Sequence, residues 1–274
     1  MRKASLLLLL CLLPFAARAE APPPRIGVQL WSVKDDVKRD FAGTLEKLAK
    51  MGFEGVEFAG EFGPYGNDAG GLRALLDKLK LQCAGAHVDF AALAPGRFAA
   101  ATAYYRRAGC SKLIIAMDRR AFMPDGAALV AGELSALSKQ LAPLGMQIGY
   151  HNHDAEMAGP VGATPWDVIA RGTPGPLQLD IGWAVYAGKD PVALIGRYPG
   201  RTRTAHFKAK LAKNTAGTPV IGRDTTDWRA VYRAARDVGG AEWIVLEQED
   251  YPDGLTPLAA VAASLQGLRR AMSD

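Results

Sequence analysis

The sequence predicts a single-domain α/β protein, a closed parallel (β/α)₈ TIM barrel. Three observations carry that prediction. Eight short apolar runs alternate with eight amphipathic segments, the alternation fills about 250 residues as one such barrel does, and no linker or composition shift divides it. The rival open doubly wound sheet would place a glycine-rich phosphate turn after its first strand. Trp31-Ser32-Val33-Lys34 stands there instead.

The chain opens with Arg2 and Lys3, an apolar run from Leu6 to Leu13, then Pro14 and Ala17-Arg18-Ala19 before Glu20. Basic, apolar and A-x-A segments in that order predict a secretory signal peptide over residues 1–19 and a periplasmic or secreted protein over residues 20–274. Cys11 lacks the small residues before it that a lipid-attachment site needs. Loss of Met1–Ala19 removes Arg2, Lys3 and Arg18 and lowers the formal charge from +5 to +2. No basic run interleaved with aromatics remains, so nucleic acid is not an expected partner. No later stretch approaches the length of a membrane span, so a membrane is not expected once the leader is gone. Cys83 and Cys110 lie in apolar segments and are expected to be buried free thiols; sequence does not decide whether they pair.

The expected strands are Ile26–Leu30, Gly55–Phe58, Cys83–His87, Leu113–Met117, Gln147–His151, Leu177–Asp180, Arg203–Phe207 and Trp243–Glu247. Each is short and apolar on both faces, as a buried parallel strand is. Phe41, Leu45 and Leu48 repeat at helical spacing between the first two; Val130, Leu134, Leu137, Leu141 and Leu144 do so before the fifth. Leu258, Val261, Leu265 and Leu268 form the closing helix, and Gly52 and Gly145 stand where helix C-caps belong.

All four histidines of the chain, His87, His151, His153 and His206, fall at or just past the C-terminal ends of expected strands, the catalytic face of a barrel. Glu57, Asp180 and Glu247 end strands two, six and eight. A carboxylate in an apolar strand is costly unless it is paired or binds a metal. Nitrogen and oxygen donors with two carboxylates suit Mn²⁺, Fe²⁺, Co²⁺ or Zn²⁺, with Mg²⁺ also open, better than calcium.

The segments Tyr150-His151-Asn152-His153-Asp154, Leu179-Asp180-Ile181-Gly182-Trp183-Ala184, His206-Phe207-Lys208 and Leu246-Glu247-Gln248-Glu249 resemble the xylose-isomerase-like sugar phosphate isomerase/epimerase family. So do Ile26-Gly27-Val28-Gln29-Leu30-Trp31 and Gly55-Val56-Glu57-Phe58-Ala59-Gly60, and the resemblance spans essentially the whole chain after the leader. It implies one divalent metal ion held by His151, Asp180, His206 and Glu247, and proton abstraction next to the carbonyl of a small-molecule carbohydrate. Glu247, His153 and His87 are the acid/base candidates, and Lys208 an oxyanion stabiliser. Trp31 and Trp183 are expected against the sugar, and Glu57 is expected to orient its hydroxyls or a histidine.

Three departures stand out. Relatives carry a glutamate at strand five where this chain has His151, they commonly carry an aspartate where it has Ala209, and their Gly-Glu-Gly loop reads Ile221-Gly222-Arg223. Only Glu247 keeps a metal-bound glutamate's role, so a keto-sugar or 3-keto-glycoside lyase or hydratase is the alternative to an isomerase or epimerase. A non-catalytic sugar-binding barrel is the second alternative, and a homo-oligomer is left open.

Overall fold

The computed structural model describes residues 22–273. The signal peptide expected over residues 1–19 lies outside them. Eight strands close into one parallel barrel in sequence order: β1 (Arg25–Gln29), β2 (Gly55–Phe58), β3 (Gln82–Val88), β4 (Lys112–Ile115), β5 (Gln147–His151), β6 (Leu177–Asp180), β7 (Thr204–Lys208) and β8 (Trp243–Glu247). All eight expected strands are present. The ends differ by a residue or two, most at the fourth, which stops at Ile115 and leaves Ala116 and Met117 in the loop above the barrel.

The helices outside the barrel are α1 (Lys34–Arg39), α2 (Phe41–Met51), α3 (Ala69–Leu79), α4 (Pro95–Ala108), α5 (Pro124–Leu141), α6 (Pro165–Gly172), α7 (Ile181–Tyr186), α8 (Pro191–Arg197), α9 (Trp228–Ala234) and α10 (Pro257–Met272). In α2, Asp40 accepts the Gly43 N–H at 2.9 Å, and Gly52, at φ 92°, closes the helix in the left-handed conformation that glycine adopts without strain. Phe41, Leu45 and Leu48 bury the face this helix turns to the sheet; Val130, Leu134 and Leu141 do the same in α5. Leu144 belongs to a short 3₁₀ turn that Gly145 ends. No described helix is long and apolar enough to cross a membrane.

The interior of the barrel is filled from below by Trp243, which packs with Ala84 and Val245 as a small cluster apart from the main core. Its ring dictates small neighbours. A Cβ on Gly55 would lie 2.6 Å from that ring and 2.7 Å from the Gln82 carbonyl oxygen, so a side chain there would displace backbone. Above this apolar floor the inward positions become polar. Strand side chains alternate between the two faces, and the register sets Gln29 beside Glu57, His151 beside Gln178, Asp180 beside His206 and Lys208 beside Glu247.

Cys83 and Cys110 are not free thiols. They form a disulfide, with their Cα atoms 5.1 Å apart, inside the range that a bridge spans. The reason is the barrel itself: Cys83 lies at the start of β3 and Cys110 just before β4, and adjacent parallel strands bring their N-terminal ends together. The bridge closes a 27-residue separation that contains all of α4. A loop of that size stabilises the fold by about 3 kcal/mol through the unfolded chain's lost freedom. A Cys83→Ser/Cys110→Ser double variant is accordingly expected to melt roughly 6–12 °C lower by calorimetry. The same reducing agent that lowers the melting point of the parent should leave the variant unmoved, and a parent insensitive to reduction would contradict a stabilising bridge.

Candidate functional site

The polar layer at the C-terminal ends of the strands is built around His206, which is fully buried. Its Nδ1 lies 2.9 Å from Glu247 Oε2, and its Nε2 lies 2.5 Å from Glu57 Oε1. Both ring nitrogens therefore face carboxylates. Burial on its own would lower the proton affinity of this ring, but Glu57 and Glu247 outweigh it and raise the pKa to about 10. In return, and against the opposing effect of burial, His206 with His87 holds Glu57 well below the usual carboxylate range. Burial is likewise overcome at Glu247, which Lys208 and His206 keep ionised.

Lys208 ends β7 almost fully buried. Its Nζ is 3.1 Å from Asp180 Oδ2, 3.0 Å from Glu247 Oε2 and 3.0 Å from Glu249 Oε2. Burial alone would strip this ammonium of its proton; Asp180, Glu247 and Glu249 keep it charged. The group is thus an interior cation among three carboxylates, far from the surface ion pair that is the commonest setting of a lysine.

Asp180 has two tasks. Its Oδ1 accepts the Trp183 N–H at 2.8 Å and caps α7, while its own N–H donates to Asn152 Oδ1 at 2.9 Å. Its Oδ2 is buried and aligned with no hydrogen-bond donor, although Lys208 approaches it as an ion pair. That oxygen lies 3.9 Å from His206 Nδ1 and 3.7 Å from His151 Nε2. Burial raises the Asp180 carboxyl, with Lys208 opposing.

Asp180, His206 and Glu247 each bring a ligand atom within 4.8 Å of the other two, as do His87, His151 and His206. Among the described residues, Glu57, Asp180, Glu247 and Glu249 crowd around two buried cations, His206 and Lys208, with His87 against Glu57 as well. Two carboxylates and an imidazole fit a divalent cation of the Mn²⁺ to Zn²⁺ group, while His151, 3.7 Å from Asp180, groups with His87 and His206 instead.

Gln178 sets the histidine tautomers. Its Nε2 donates to Glu57 Oε2 at 2.6 Å, which leaves Oε1 as acceptor for His87 Nε2 at 2.8 Å and His151 Nδ1 at 3.1 Å. His151 Nδ1 then carries the hydrogen, and Nε2, on the Asp180 side, carries the lone pair. Burial and the surrounding cationic groups keep this ring neutral. Glu57 has no exposed surface and is tied by Gln29, His87, Gln178 and His206. Of the two roles expected for it, this geometry is that of a carboxylate orienting histidines.

His153, half-buried, sets its ring tilted 5.5 Å from Trp183 and edge-on 5.0 Å from His151, and its Nδ1 is buried without a partner. Burial and then Lys208 push its pKa down to about 4, so it is a neutral imidazole at neutral pH. Glu156 anchors it by accepting the His153 N–H at 3.0 Å and the Tyr150 hydroxyl at 2.7 Å. A cavity of about 310 Å³ opens over the cluster, walled by Trp31, His87, Met117, His151, His153 and Glu247. Trp183 stands at the side of the cluster, with Lys208 and Lys210 against its ring.

The expected site residues thus share one end of the barrel. The sequence reading passed over Gln29, Gln178, Asn152 and Glu249. Gln178 was within reach of it: it lies two residues before Asp180 in an otherwise apolar strand and so must share its inward face.

No family model matches the chain. It is 28% identical over 164 residues to an inosose dehydratase of Lacticaseibacillus casei, an alignment covering 51% of this chain and 53% of that protein, and so spans about half the length of the curated relatives it matches. Among solved structures, a sugar phosphate isomerase/epimerase from Parabacteroides distasonis ATCC 8503 superposes with a TM-score of 0.74 at 21% identity, covering 92% of this chain and 96% of the other. An L-ribulose 3-epimerase does so with a TM-score of 0.61 at 17% identity, covering 91% and 96%. In fold, the chain is a xylose-isomerase-like TIM barrel, the architecture of these sugar phosphate isomerases/epimerases.

Proposed function

We propose that this protein is a carbohydrate-acting enzyme of isomerase/epimerase type that removes a proton from the carbon next to a sugar carbonyl with the help of one divalent metal ion. The observation that carries the reading is the Asp180–His206–Glu247 group, whose ligand atoms lie within 4.8 Å of one another and whose buried Asp180 Oδ2 has no hydrogen-bond donor beyond the Lys208 ion pair. Asp180, His206 and Glu247 would hold the ion, which supplies Lewis-acid polarisation of the sugar oxygen.

The chain's own groups do the rest. To become a ligand His206 would give up one of its two ring protons, and Glu247, which lines the cavity and is held ionised, would take the substrate proton. Lys208, fixed beside Asp180 and Glu247, presents its ammonium to negative charge developing at the carbonyl oxygen. His153, neutral and open to the cavity, would accept the proton from Glu247 and hand it back to the substrate, so that one proton is taken and one returned.

A second reading, elimination of a β-leaving group from a keto-sugar or 3-keto-glycoside, is favoured by one specific observation. Symmetric epimerisation needs a carboxylate on each face of the sugar, and strand five offers His151 in place of the second one. The dehydratase name of the curated relatives points the same way. The leader-like residues 1–19 and the Cys83–Cys110 disulfide both support a periplasmic or secreted location, since disulfides persist in oxidising compartments. There a free sugar or glycoside is a more available substrate than a sugar phosphate.

Two measurements test the assignment. Metal uptake must displace the His206 proton, whose pKa of about 10 keeps it bound at neutral pH. Calorimetric titration of the metal-free protein with Mn²⁺ in buffers of different ionisation enthalpy should therefore show about one proton released per ion, with apparent affinity rising up to about tenfold per pH unit between pH 6 and 9. Uptake without proton release would contradict the His206 assignment. Glu247→Gln keeps the size and one oxygen donor but not the base, and is expected to slow exchange of the substrate's α-proton with D₂O by about 10²- to 10⁴-fold while still binding some metal and sugar. Exchange at the parent rate would transfer the base to His153 or His87 and favour the elimination reading.

A further inference from the structure

The cavity over the cluster does not end at Met117. A second furrow of about 330 Å³ adjoins it and shares Ala59, His87, Ala116 and Met117 as a common wall. The furrow continues past Gly60 and Asp89 to Ala92 and Tyr105. An apolar cavity of about 150 Å³ already accommodates a six-membered ring. The site cavity, about 310 Å³, thus has room for one sugar ring with its hydroxyls, and the furrow for a second ring beside it.

The lining of the furrow is of the right chemistry. Met117 is 47% exposed on the wall common to both spaces, one of the few large apolar side chains left in water. Its thioether is a flexible, polarisable surface of the sort that adapts to a ring face. Asp89 is exposed at the edge, where its Oδ1 accepts the Ala92 N–H at 2.7 Å, and a carboxylate there is an acceptor for ring hydroxyls. Nothing narrows the passage at Gly60: a Cβ built there meets only the His87 carbonyl oxygen, at 4.0 Å.

From these features we infer that the substrate is a glycoside whose reacting ring carries a keto group, with that ring over the Asp180–His206–Glu247 cluster and a second, ring-sized substituent in the Met117–Asp89–Ala92 furrow. This rests on the sugar-directed reading above and adds to it a binding subsite. Ala92 belongs neither to the proton-transfer or metal-holding groups nor to the wall of the site cavity. It lies along the far part of the furrow, so Ala92→Trp fills that space without touching the cluster, and Ala92→Arg obstructs it with a side chain of different chemistry.

The test compares matched pairs on the Mn²⁺-loaded protein, D-glucose with its phenyl α- and β-glucosides and D-galactose with its phenyl α- and β-galactosides, by calorimetric titration. In at least one pair the glycoside is expected to bind about tenfold or more tightly than the free sugar. Both variants should erase that advantage while leaving the free sugar's affinity within about twofold, and circular dichroism should show each variant folded. Free sugars that bind as tightly as their glycosides in every pair, or an advantage that survives both variants, would overturn the subsite and leave the enzyme reading standing. Failure of every sugar and every glycoside to bind would overturn both.

Discussion

The organisation of this molecule turns on buried charge. Glu57, Asp180 and Glu247 have almost no exposed surface, and inside a barrel such groups are tolerable only if each carboxylate finds a cation or a dense set of donors. His206 answers for Glu57 and Glu247, and Lys208 answers for Asp180, Glu247 and Glu249. Removal of either cation would leave unpaired charge in the interior, which typically costs about 3–5 kcal/mol. The same layer that endangers the fold when broken is the one that supplies His151, His153 and Glu247 to the cavity. Stability and chemistry here draw on one set of side chains.

That layer exists because of what lies beneath and beside it. Trp243 fills the lower barrel and needs glycine at Gly55. Higher up, a Cβ on Gly85 would come within 2.7 Å of Glu57 Oε2, so the small residue beside Glu57 is what lets that carboxylate reach His87, His206 and Gln178. Gln178 then ties β2 to the histidines of β3 and β5, so the rings that border the cavity are oriented by residues that do not reach it. Supports of this kind, behind the groups that contact a metal or substrate, govern affinity and basicity as much as the contacting groups do.

Much of this was legible in the chain. Strand count, order and inward-facing histidines follow from short apolar runs ended by polar residues, because a parallel barrel imposes both the period and the location of chemistry. What was not legible depends on distances between strands. Cys83 and Cys110 look like apolar filler in one dimension and become a bridge only when β3 and β4 lie side by side. Glu57 is expected to orient sugar hydroxyls or a histidine, and only closure of the barrel puts His206, 149 positions away, against it. Lys208 is expected as an oxyanion stabiliser, and what the sequence does not display is that three carboxylates hold it.

The buried Ala209 that follows Lys208 offers it no charge. Lys208 finds its third carboxylate in Glu249, two residues beyond Glu247 and therefore on the same side of the extended β8 segment. Burial and the nearby Glu247 raise the Glu249 carboxyl, so its proton is held less firmly away than that of a surface glutamate. Strand five supplies a neutral imidazole, His151. The negative charge is gathered on the β6–β8 side, with neutral His151 and His153 across from it, so the two sides of the cavity differ in charge as well as in residue type.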